Sequence, residues 1–231
     1  MSSTGCDGAT RGQHSLLQAF QSQIILIVVA LFILTFVVQP FRIPSASMEP
    51  TLLVGDFLLV NKQVSNRRLL PQASASRIQR GDLIVFHYPV NPAKDLVKRV
   101  VGLPGEQLRM HEGHVYIDNH ALDEPYAAYR TAAADSYRDD FPRVDRADPG
   151  VDSRWWIQMH TLVSRGELTI PADNYFVLGD NRNDSEDSRY WGLVPRAAIV
   201  GKPFLVYFSL NEPTSSLTNL ARWNRALRIV H

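Results

Sequence analysis

The sequence predicts a mainly β protein: an antiparallel, barrel-like β domain with an inserted variable subdomain, tethered by one N-terminal transmembrane helix. Three observations lead to this fold class. An uncharged apolar run lies near the N-terminus, short β-branched and aromatic runs separated by turn residues follow it, and the composition changes in the middle of the chain. With 231 residues the chain is long enough to bury a sizeable core.

The apolar run predicts a membrane anchor over residues 23–41, preceded by a tail over residues 1–22. No Asp, Glu, Lys or Arg occurs from Gly12 to Phe41, and Ile24 to Val38 is apolar except for one threonine. A membrane-spanning helix needs roughly 20 mostly apolar residues, and this run with its flanks reaches that length. The alternative is a cleaved secretory signal, whose apolar region is about 7–15 residues long. The long, weakly basic tail favours the anchor.

Six runs after the anchor predict strands, because each is rich in β-branched or aromatic residues and is bounded by turn residues. They are Phe57–Asn61, Asp82–Tyr88, Leu96–Val101, His114–Asp118, Tyr175–Leu178 and Lys202–Leu210. Five of these runs lie in residues 42–108 and 166–212, which are predicted to form the β core; His114–Asp118 lies in the predicted insert.

Two segments differ from this pattern. Residues 109–165 are predicted to form an inserted subdomain or loop, and from about 122 to 165 the mixture of acids, arginines and alanines is typical of a looser, partly disordered region. Residues 213–231 are predicted to be a C-terminal helix or tail. Apolar residues alternate there with arginines, so a helix at the lipid headgroups and a helix packed on the domain both remain open.

The charge balance excludes one class of partner. A formal net charge of +1 gives no basic excess of the kind that nucleic-acid-binding proteins usually carry, so no nucleic acid partner is expected. The single cysteine, Cys6, cannot form an internal disulfide. The chain has four lysines, so chemistry that depends on lysine has few candidates. They are Lys62, Lys94, Lys98 and Lys202.

Three clusters of polar residues are candidates for chemistry. The first is RIPSASMEPTL, residues 42–52, where Ser45 and Ser47 follow the predicted anchor directly. A serine hydroxyl is a weak nucleophile without a nearby base. Taken alone, this segment is therefore more typical of a stiff linker with capping serines.

The second cluster is LVKRVVGLPG, residues 96–105. In a strand, Lys98 shares one face with Leu96 and Val100, while Arg99 points to the other. If Lys98 is buried, its pKa falls and it becomes a usable general base; at a sheet edge it serves solubility instead. The following LPGE, residues 103–106, predicts a type II turn.

The third cluster, GDNRNDSEDSRYWG at residues 179–192, holds more charged and hydroxyl residues than a turn requires. A divalent-cation loop is one interpretation, but the glycine and glutamate spacing of a calcium site is missing. A network of Asp–Arg pairs and serine hydroxyls around an active centre fits better, because arginine pairs with carboxylates in bidentate fashion.

Together and in this order, the three clusters resemble the sequence boxes of the type I signal peptidases, also called leader peptidases. PSASMEPTL follows the anchor, RGDLIVFHYP and KRVVGLPGE come next, and GDNRNDSEDSRYWG lies near the end. The resemblance runs from the anchor to about Pro195. It implies a membrane-tethered serine endopeptidase with a Ser–Lys dyad on a mainly antiparallel β fold.

The resemblance also implies a role for each matched residue. Ser47 is the expected nucleophile and Lys98 the expected general base. Ser45 and the backbone N–H of Ser47 are expected to form the oxyanion hole, and Ser185 to hydrogen-bond and orient Lys98. The expected supporting charge network consists of Asp187, Arg189, Asp180 and Arg182. The expected walls of the substrate pocket are Ile43, Leu52, Leu96 and Val97.

The implied substrates are preproteins whose signal peptides present small residues at positions −1 and −3 of the cleavage site. The implied location is the bacterial inner membrane, crossed once, with a cytoplasmic N-terminus and a periplasmic or extracellular catalytic domain. Signal peptides, the lipid bilayer and the translocation machinery are the expected partners, and no cofactor or metal is expected. Activity should rise with pH as Lys98 loses its proton, with an apparent pKa below the ~10.4 of a free lysine.

Other enzyme classes are weaker interpretations. A self-cleaving Ser–Lys repressor lacks its helix-turn-helix pattern here and does not account for the anchor. His87 could be the base of a histidine triad, but a strand histidine is more often a packed or surface residue. A zinc site has three histidine candidates whose spacing matches no zinc motif. They are His111, His114 and His120.

A non-catalytic, membrane-anchored β domain that acts as a receptor or assembly factor is the alternative from a different class. It explains the anchor and the strands equally well. It gives no reason for Ser47, Lys98 and Ser185 to occur together.

Overall fold

The computed structural model describes residues 18, 20–31, 37–62, 77–130, 133, 135–211 and 221–230. The chain divides into two compact units, Met1–Gln39 and Pro40–His231. In the first unit, residues 20–31 form helix α1 with exposed side chains. No helix in the described part of the chain combines the length and apolarity that a membrane crossing requires. Residues 32–36 of the predicted anchor lie outside the described residues.

The second unit is mainly β, as predicted, and its strands pair in antiparallel fashion. The strands are β1 (Val38–Arg42), β2 (Asp56–Asn61), β3 (Leu83–His87), β4 (Asp95–Gly102), β5 (Gln107–His111), β6 (His114–Ile117), β7 (His120–Ala121), β8 (Val163–Ser164), β9 (Glu167–Thr169), β10 (Asn174–Leu178), β11 (Val194–Pro195), β12 (Ile199–Ser209) and β13 (Arg228–Ile229). The short helices are α2 (Ser136–Asp139), α3 (Ser153–Leu162) and α4 (Ser188–Trp191). Each of the six predicted strands is present, with ends that shift by at most three residues.

The larger sheet has the strand order β1-β2-β12-β3-β4-β10-β11, and β13 also pairs with β12. β12 pairs first with β3 and then with β2, and its register shifts where it changes partner. At this change Gly201 passes so close to β2 that a Cβ atom would lie 2.1 Å from the Asn61 carbonyl oxygen. Glycine is therefore required there, and it allows one long strand to join both halves of the sheet.

β4 lies inside this sheet, between β3 and β10, and is buried on both faces from Val97 onward. One face packs in a cluster with Ile84 and Val177, and the other with Leu58 and Val85. Continuous burial on both faces places a polar side chain on this strand in a low-dielectric setting.

The strands β5 to β9 form a second, five-stranded sheet with the order β7-β6-β5-β9-β8. This sheet extends beyond the predicted insert, 109–165, because β5 begins at Gln107 and β9 spans Glu167–Thr169. The described residues of this segment, 122–130, 133 and 135–165, are more ordered than their composition indicates. Tyr137, Phe141 and Trp155 are buried in one cluster with Phe176 and Leu178 of β10. A few aromatic residues spaced among the charges are enough to bury the segment, because each aromatic side chain contributes a large apolar area.

The LPGE turn folds as predicted. In the LPGE turn, Gly105 has φ +90° and the Glu106 N–H donates to the Leu103 carbonyl at 3.2 Å, as a type II turn requires. The β5–β6 hairpin turns at Glu112 and Gly113, which both have positive φ.

The C-terminal segment is not a helix in residues 221–230, and residues 212–220 and 231 lie outside the described part. It forms a 3-10 turn, Trp223–Arg225, and the short strand β13. Two arginines hold it against the start of β2: Arg225 donates to both carboxylate oxygens of the fully buried Asp56, and Arg222 donates to the Ser209 hydroxyl, which itself donates to Asp56. Of the predicted alternatives, a helix or a tail, residues 221–230 correspond to a tail that specific ion pairs hold on the domain.

We expect Arg225→Ala to lower the free energy of unfolding by about 3–5 kcal/mol, because it leaves the Asp56 carboxylate buried without its bidentate partner. Arg228→Ala is the matched control, since this arginine lies three positions away and is exposed; we expect a change within about 0.5 kcal/mol. Urea denaturation of both variants, followed by tryptophan fluorescence, measures the difference. Equal stabilities would contradict the ion pair as the tie that holds the C-terminal segment.

Candidate active site

Ser47 lies in a 3-10 turn, Ala46–Met48, shortly after β1. The turn is held from both sides. The Met48 side chain is buried in the core, and Asn181 binds the turn backbone: its side-chain amide donates to the Ala46 carbonyl at 3.2 Å and its N–H to the Ser47 carbonyl at 3.1 Å. The Ser47 hydroxyl is therefore carried on a fixed backbone.

Lys98 lies on β4 opposite Ile84 of β3, and only 3% of it is exposed. Its Nζ donates a hydrogen bond of 2.6 Å to Ser47 Oγ. Burial lowers the pKa of Lys98 from 10.5 to about 8, and the negative charge of Asp187 offsets this only in part. Such a lysine loses its proton close to neutral pH and is then able to accept a proton from the serine hydroxyl.

Ser47 and Lys98 line one cavity of about 620 Å³. Ser45 lines it as well, and its hydroxyl lies 3.3 Å from Ser47 Oγ. The other walls come from the β3–β4 hairpin, through Tyr88 and Lys94, and from residues 183–191. Residues predicted from two separate clusters of the sequence thus meet in one cavity.

Ser185 also lines this cavity, but its hydrogen bonding differs from the prediction. Its Oγ is buried and has no hydrogen-bond partner among the described residues, while Lys98 Nζ donates to Ser47. Gly179 lies directly beside it: a Cβ atom on Gly179 would lie 2.2 Å from Ser185 Oγ and 2.5 Å from the Ser47 carbonyl oxygen. Glycine at 179 therefore permits Ser185 and the Ser47 turn to approach each other.

Asp187 and Arg189 form a fully buried, bidentate ion pair with distances of 2.8 and 2.7 Å. Burial alone would raise the pKa of Asp187, but Arg189 and Lys98 hold it below its usual value. Asp187 also accepts the Gly179 N–H at 3.1 Å. The pair thus fixes the backbone at Gly179, against which Ser185 packs.

Asp180 pairs with Arg99, a residue that sequence reasoning did not assign to the network. Arg99 donates to both carboxylate oxygens at 2.8 and 2.7 Å, and Thr51 donates to one of them at 2.6 Å. The Tyr126 ring stacks on the guanidinium at 4.0 Å. The strand alternation that sets Arg99 opposite to Lys98 was the signal available in the sequence, because a buried arginine on that face needs a carboxylate partner.

Arg182 pairs with Glu124 at 2.8 and 2.6 Å and donates to the Gly179 carbonyl at 3.1 Å. Glu124 lies in the variable region, and no sequence pattern identified it. Three bidentate pairs thus surround residues 179–189: Asp187–Arg189, Asp180–Arg99 and Glu124–Arg182. Each of these three arginines has a carboxylate partner.

The four predicted pocket residues do not share one position. Leu96 lines the cavity. Ile43, Leu52 and Val97 are buried in the core beneath it, with exposures of 3%, 0% and 7%. Because other side chains cover Ile43, Leu52 and Val97, these three residues are excluded from direct contact with a ligand in the cavity. The aromatic wall residues Tyr88, Tyr190 and Trp191 were not predicted.

The histidine alternatives gain no support from the described residues. His87 Nδ1 lies 2.6 Å from the Asp95 carboxylate, at the outer end of the β3–β4 hairpin. The described residues contain no group of His, Cys, Asp or Glu side chains that could hold a metal ion. His111, His114 and His120 lie on the β5–β7 strands of the second sheet.

Comparison with known proteins identifies the family of this chain. A family model described as signal peptidase, peptidase S26, matches residues 16–208. A signal peptidase I of Pseudomonas aeruginosa is 38% identical over 214 residues, covering 84% of this chain and 73% of that protein. A signal peptidase I of Aquifex aeolicus is 34% identical over 221 residues, covering 82% and 83%.

A crystal structure of a signal peptidase I from Enterococcus faecalis V583 has 34% sequence identity and a TM-score of 0.41, and the match covers 55% of this chain and 97% of that one. The family model and the two sequence relatives show that this chain belongs to the signal peptidase, peptidase S26, family.

Ser185 and Ser188 differ in their hydrogen bonding, so replacing each of them by alanine should have different effects on stability. Ser188 Oγ is buried and accepts the Val177 N–H at 3.0 Å, so Ser188→Ala should lower the free energy of unfolding by about 1–3 kcal/mol. Ser185→Ala removes a buried hydroxyl without a partner and should leave stability unchanged or slightly higher. Thermal denaturation of the two variants tests this. A loss in Ser185→Ala as large as that in Ser188→Ala would mean that the Ser185 hydroxyl is bonded in the resting protein.

Proposed function

We propose that this chain is a membrane-bound serine endopeptidase that cleaves N-terminal signal peptides from exported preproteins, with Ser47 as nucleophile and Lys98 as general base. The observation that carries the proposal is the 2.6 Å hydrogen bond between the buried Lys98 Nζ and Ser47 Oγ. Family membership supports the substrate class. A receptor or assembly domain has no need of a lysine amine buried beside a serine, since burying it costs free energy.

Acyl transfer at this site follows from the geometry. With Lys98 deprotonated, Ser47 Oγ attacks the scissile carbonyl carbon while its proton passes to Lys98 Nζ. The ammonium then gives the proton to the leaving amine as the peptide C–N bond breaks. In the second half, water attacks the acyl carbon while Lys98 Nζ accepts its proton. The bond between the acyl carbon and Ser47 Oγ then breaks, and the ammonium returns the proton to Ser47 Oγ, which releases the carboxylic acid product and regenerates the dyad. Because the lysine must first lose a proton, activity rises with pH through about 8.

The developing oxyanion needs hydrogen-bond donors. The Ser47 backbone N–H and the Ser45 hydroxyl are the proposed donors, since Ser45 Oγ lies 3.3 Å from Ser47 Oγ in the same cavity. Ser185 is the proposed orienting group for Lys98; its hydroxyl is unbonded and lines the same cavity, so it is free to accept from or donate to the amine.

The charge network has a proposed positioning role. Asp187 with Arg189 and Asp180 with Arg99 fix the backbone on either side of Gly179, while Arg182 with Glu124 closes the outer edge. Small substrate residues at −1 and −3 are the proposed preference, with Leu96 in contact with the substrate. Ile43, Leu52 and Val97 contribute from behind by filling the core.

The proposed placement follows from the reaction. Residues 23–37 are the proposed anchor in the bacterial inner membrane, because residues 38–41 of the predicted anchor belong instead to β1. Residues 1–22 are cytoplasmic in this proposal, and the catalytic residues lie on the periplasmic or extracellular side, because signal-peptide cleavage sites emerge there. The lipid bilayer and the translocation machinery are the proposed surroundings. The inserted region, 109–165, completes the catalytic domain formed by 42–108 and 166–212.

Purified full-length protein in detergent should cleave a preprotein with an Ala-x-Ala site, and the two dyad variants test the assignment. We expect Ser47→Ala to lower kcat/KM by at least about 1,000-fold and Lys98→Ala by about 100- to 10,000-fold. Ser164→Ala and Lys202→Ala are matched controls, because the first is exposed on β8 and the second pairs with Asp82 away from the cavity. Normal cleavage by either dyad variant, or equal loss in its control, would refute the dyad.

A further inference from the structure

A second cavity of about 220 Å³ adjoins the one that holds Ser47. The two share five lining residues, so they form a single continuous groove. The shared residues are Tyr88, Gly150, Glu186, Tyr190 and Trp191. The second cavity adds Val90, Val151 and Asp152. We refer to it as the aromatic cleft. The proposed mechanism uses none of the residues that it adds.

The walls of the aromatic cleft combine rings with carboxylates. The Tyr88 and Trp191 rings meet edge to face, with centroids 5.6 Å apart. Tyr190 contributes a third ring, although Arg189 already lies 5.8 Å from its centroid. Aromatic faces attract cations through their quadrupole, and the attraction grows when the site is partly desolvated.

Two carboxylates, Glu186 and Asp152, act on the same ring of the cleft. Burial raises the pKa of the Tyr88 hydroxyl, and the negative charges of Glu186 and Asp152 raise it further. Asp152 is already engaged, since it caps α3 by accepting the Arg154 and Trp155 N–H groups and lies 3.6 Å from the Arg154 guanidinium. Glu186 is exposed, and no cation within the described part of the chain forms a salt bridge with it.

The groove is electrically asymmetric. Lys94 lines the catalytic cavity but not the aromatic cleft, and it is exposed. Asp184 likewise lines only the catalytic cavity. The end of the groove at the cleft therefore presents aromatic faces and two carboxylates without a lysine. That combination suits a positively charged group and disfavours an anionic one.

We propose that the aromatic cleft binds a lysine or arginine side chain of the preprotein, at a position other than −1 or −3, with Glu186 as the partner of its charge. This inference rests on the proposed function, because the basic side chain belongs to the same substrate that Ser47 attacks. Small side chains at −1 and −3 leave a cleft of this size unfilled. The basic residue therefore belongs to position −2 or to the first residues of the mature protein.

The test uses full-length protein in detergent and a parent peptide with an Ala-x-Ala site and alanine at the surrounding positions. Single lysines are introduced at −2, +1, +2, +3 or +4, and each is compared with norleucine and glutamate at the same position. We expect one position at which lysine raises kcat/KM about 5-fold or more over norleucine at low salt, with glutamate below both.

Glu186→Gln should reduce that lysine-to-norleucine ratio to near 1, and Tyr88→Leu should reduce it in part. Asp184→Asn is the matched control, because it removes a carboxylate two positions away that does not line the cleft; the ratio should persist. The ratio cancels any effect of residue 186 on Lys98, whose pKa its charge raises.

Each outcome has a defined meaning. No lysine preference at any position, a preference that survives in Glu186→Gln, or equal loss in Asp184→Asn would overturn the cleft assignment while the proposed function stands. Failure to cleave the all-alanine parent peptide would instead overturn the proposed function, and the cleft would lose its role as a substrate subsite with it.

Discussion

The burial of one lysine amine beside one serine is the constraint on which the site depends. An ammonium group is costly to bury, so the low-dielectric position of Lys98 favours its neutral form and lowers its pKa to about 8. Only a strand covered on both faces provides that position, and β4 is such a strand. The strand, the two sheet neighbours that cover it and the turn that carries Ser47 therefore form one functional unit.

The surrounding charges preserve this effect because they occur in balanced pairs. Burial is the largest cause of the lowered pKa of Lys98; Asp187, Glu186 and Asp180 act to raise that pKa, and Arg189 acts to lower it. Asp180 is paired with Arg99, and Glu124 with Arg182. An unpaired carboxylate at any of these positions would stabilise the ammonium and return the lysine to its ordinary, protonated state at neutral pH. The same ion pairs also fix the backbone of residues 179–189. They therefore determine both the charge around Lys98 and the position of the residues that line the cavity.

The sequence predicted the strands and a turn, because these depend on residues that are close together in the chain. Strand alternation placed Lys98 and Arg99 on opposite faces, LPGE predicted the turn at Gly105, and all six predicted strands are present. The partners of the buried arginines were not predictable in full, because Glu124 is distant in sequence and lies in a region whose composition resembles disorder. The pocket residues were also not predictable in full. Ile43, Leu52 and Val97 are apolar, as pocket residues usually are, and only the packing of the folded chain shows that they are covered. The C-terminal arginines have a spacing that a helix would allow, but Arg222 and Arg225 instead form ion pairs with Asp56 of β2.

The pH dependence of stability in wild type and Lys98→Met tests the central claim most directly. Between pH about 8 and 10.5 the unfolded chain binds the Lys98 proton and the native state does not, so this residue makes wild-type stability rise with pH across that window. Methionine at position 98 has no proton to bind. We predict that Lys98→Met is more stable than wild type at pH 7, in urea denaturation, and that the gap narrows as pH rises toward 10.5. A gap that stays constant from pH 7 to 10 would show that Lys98 titrates as an ordinary lysine and would contradict the account.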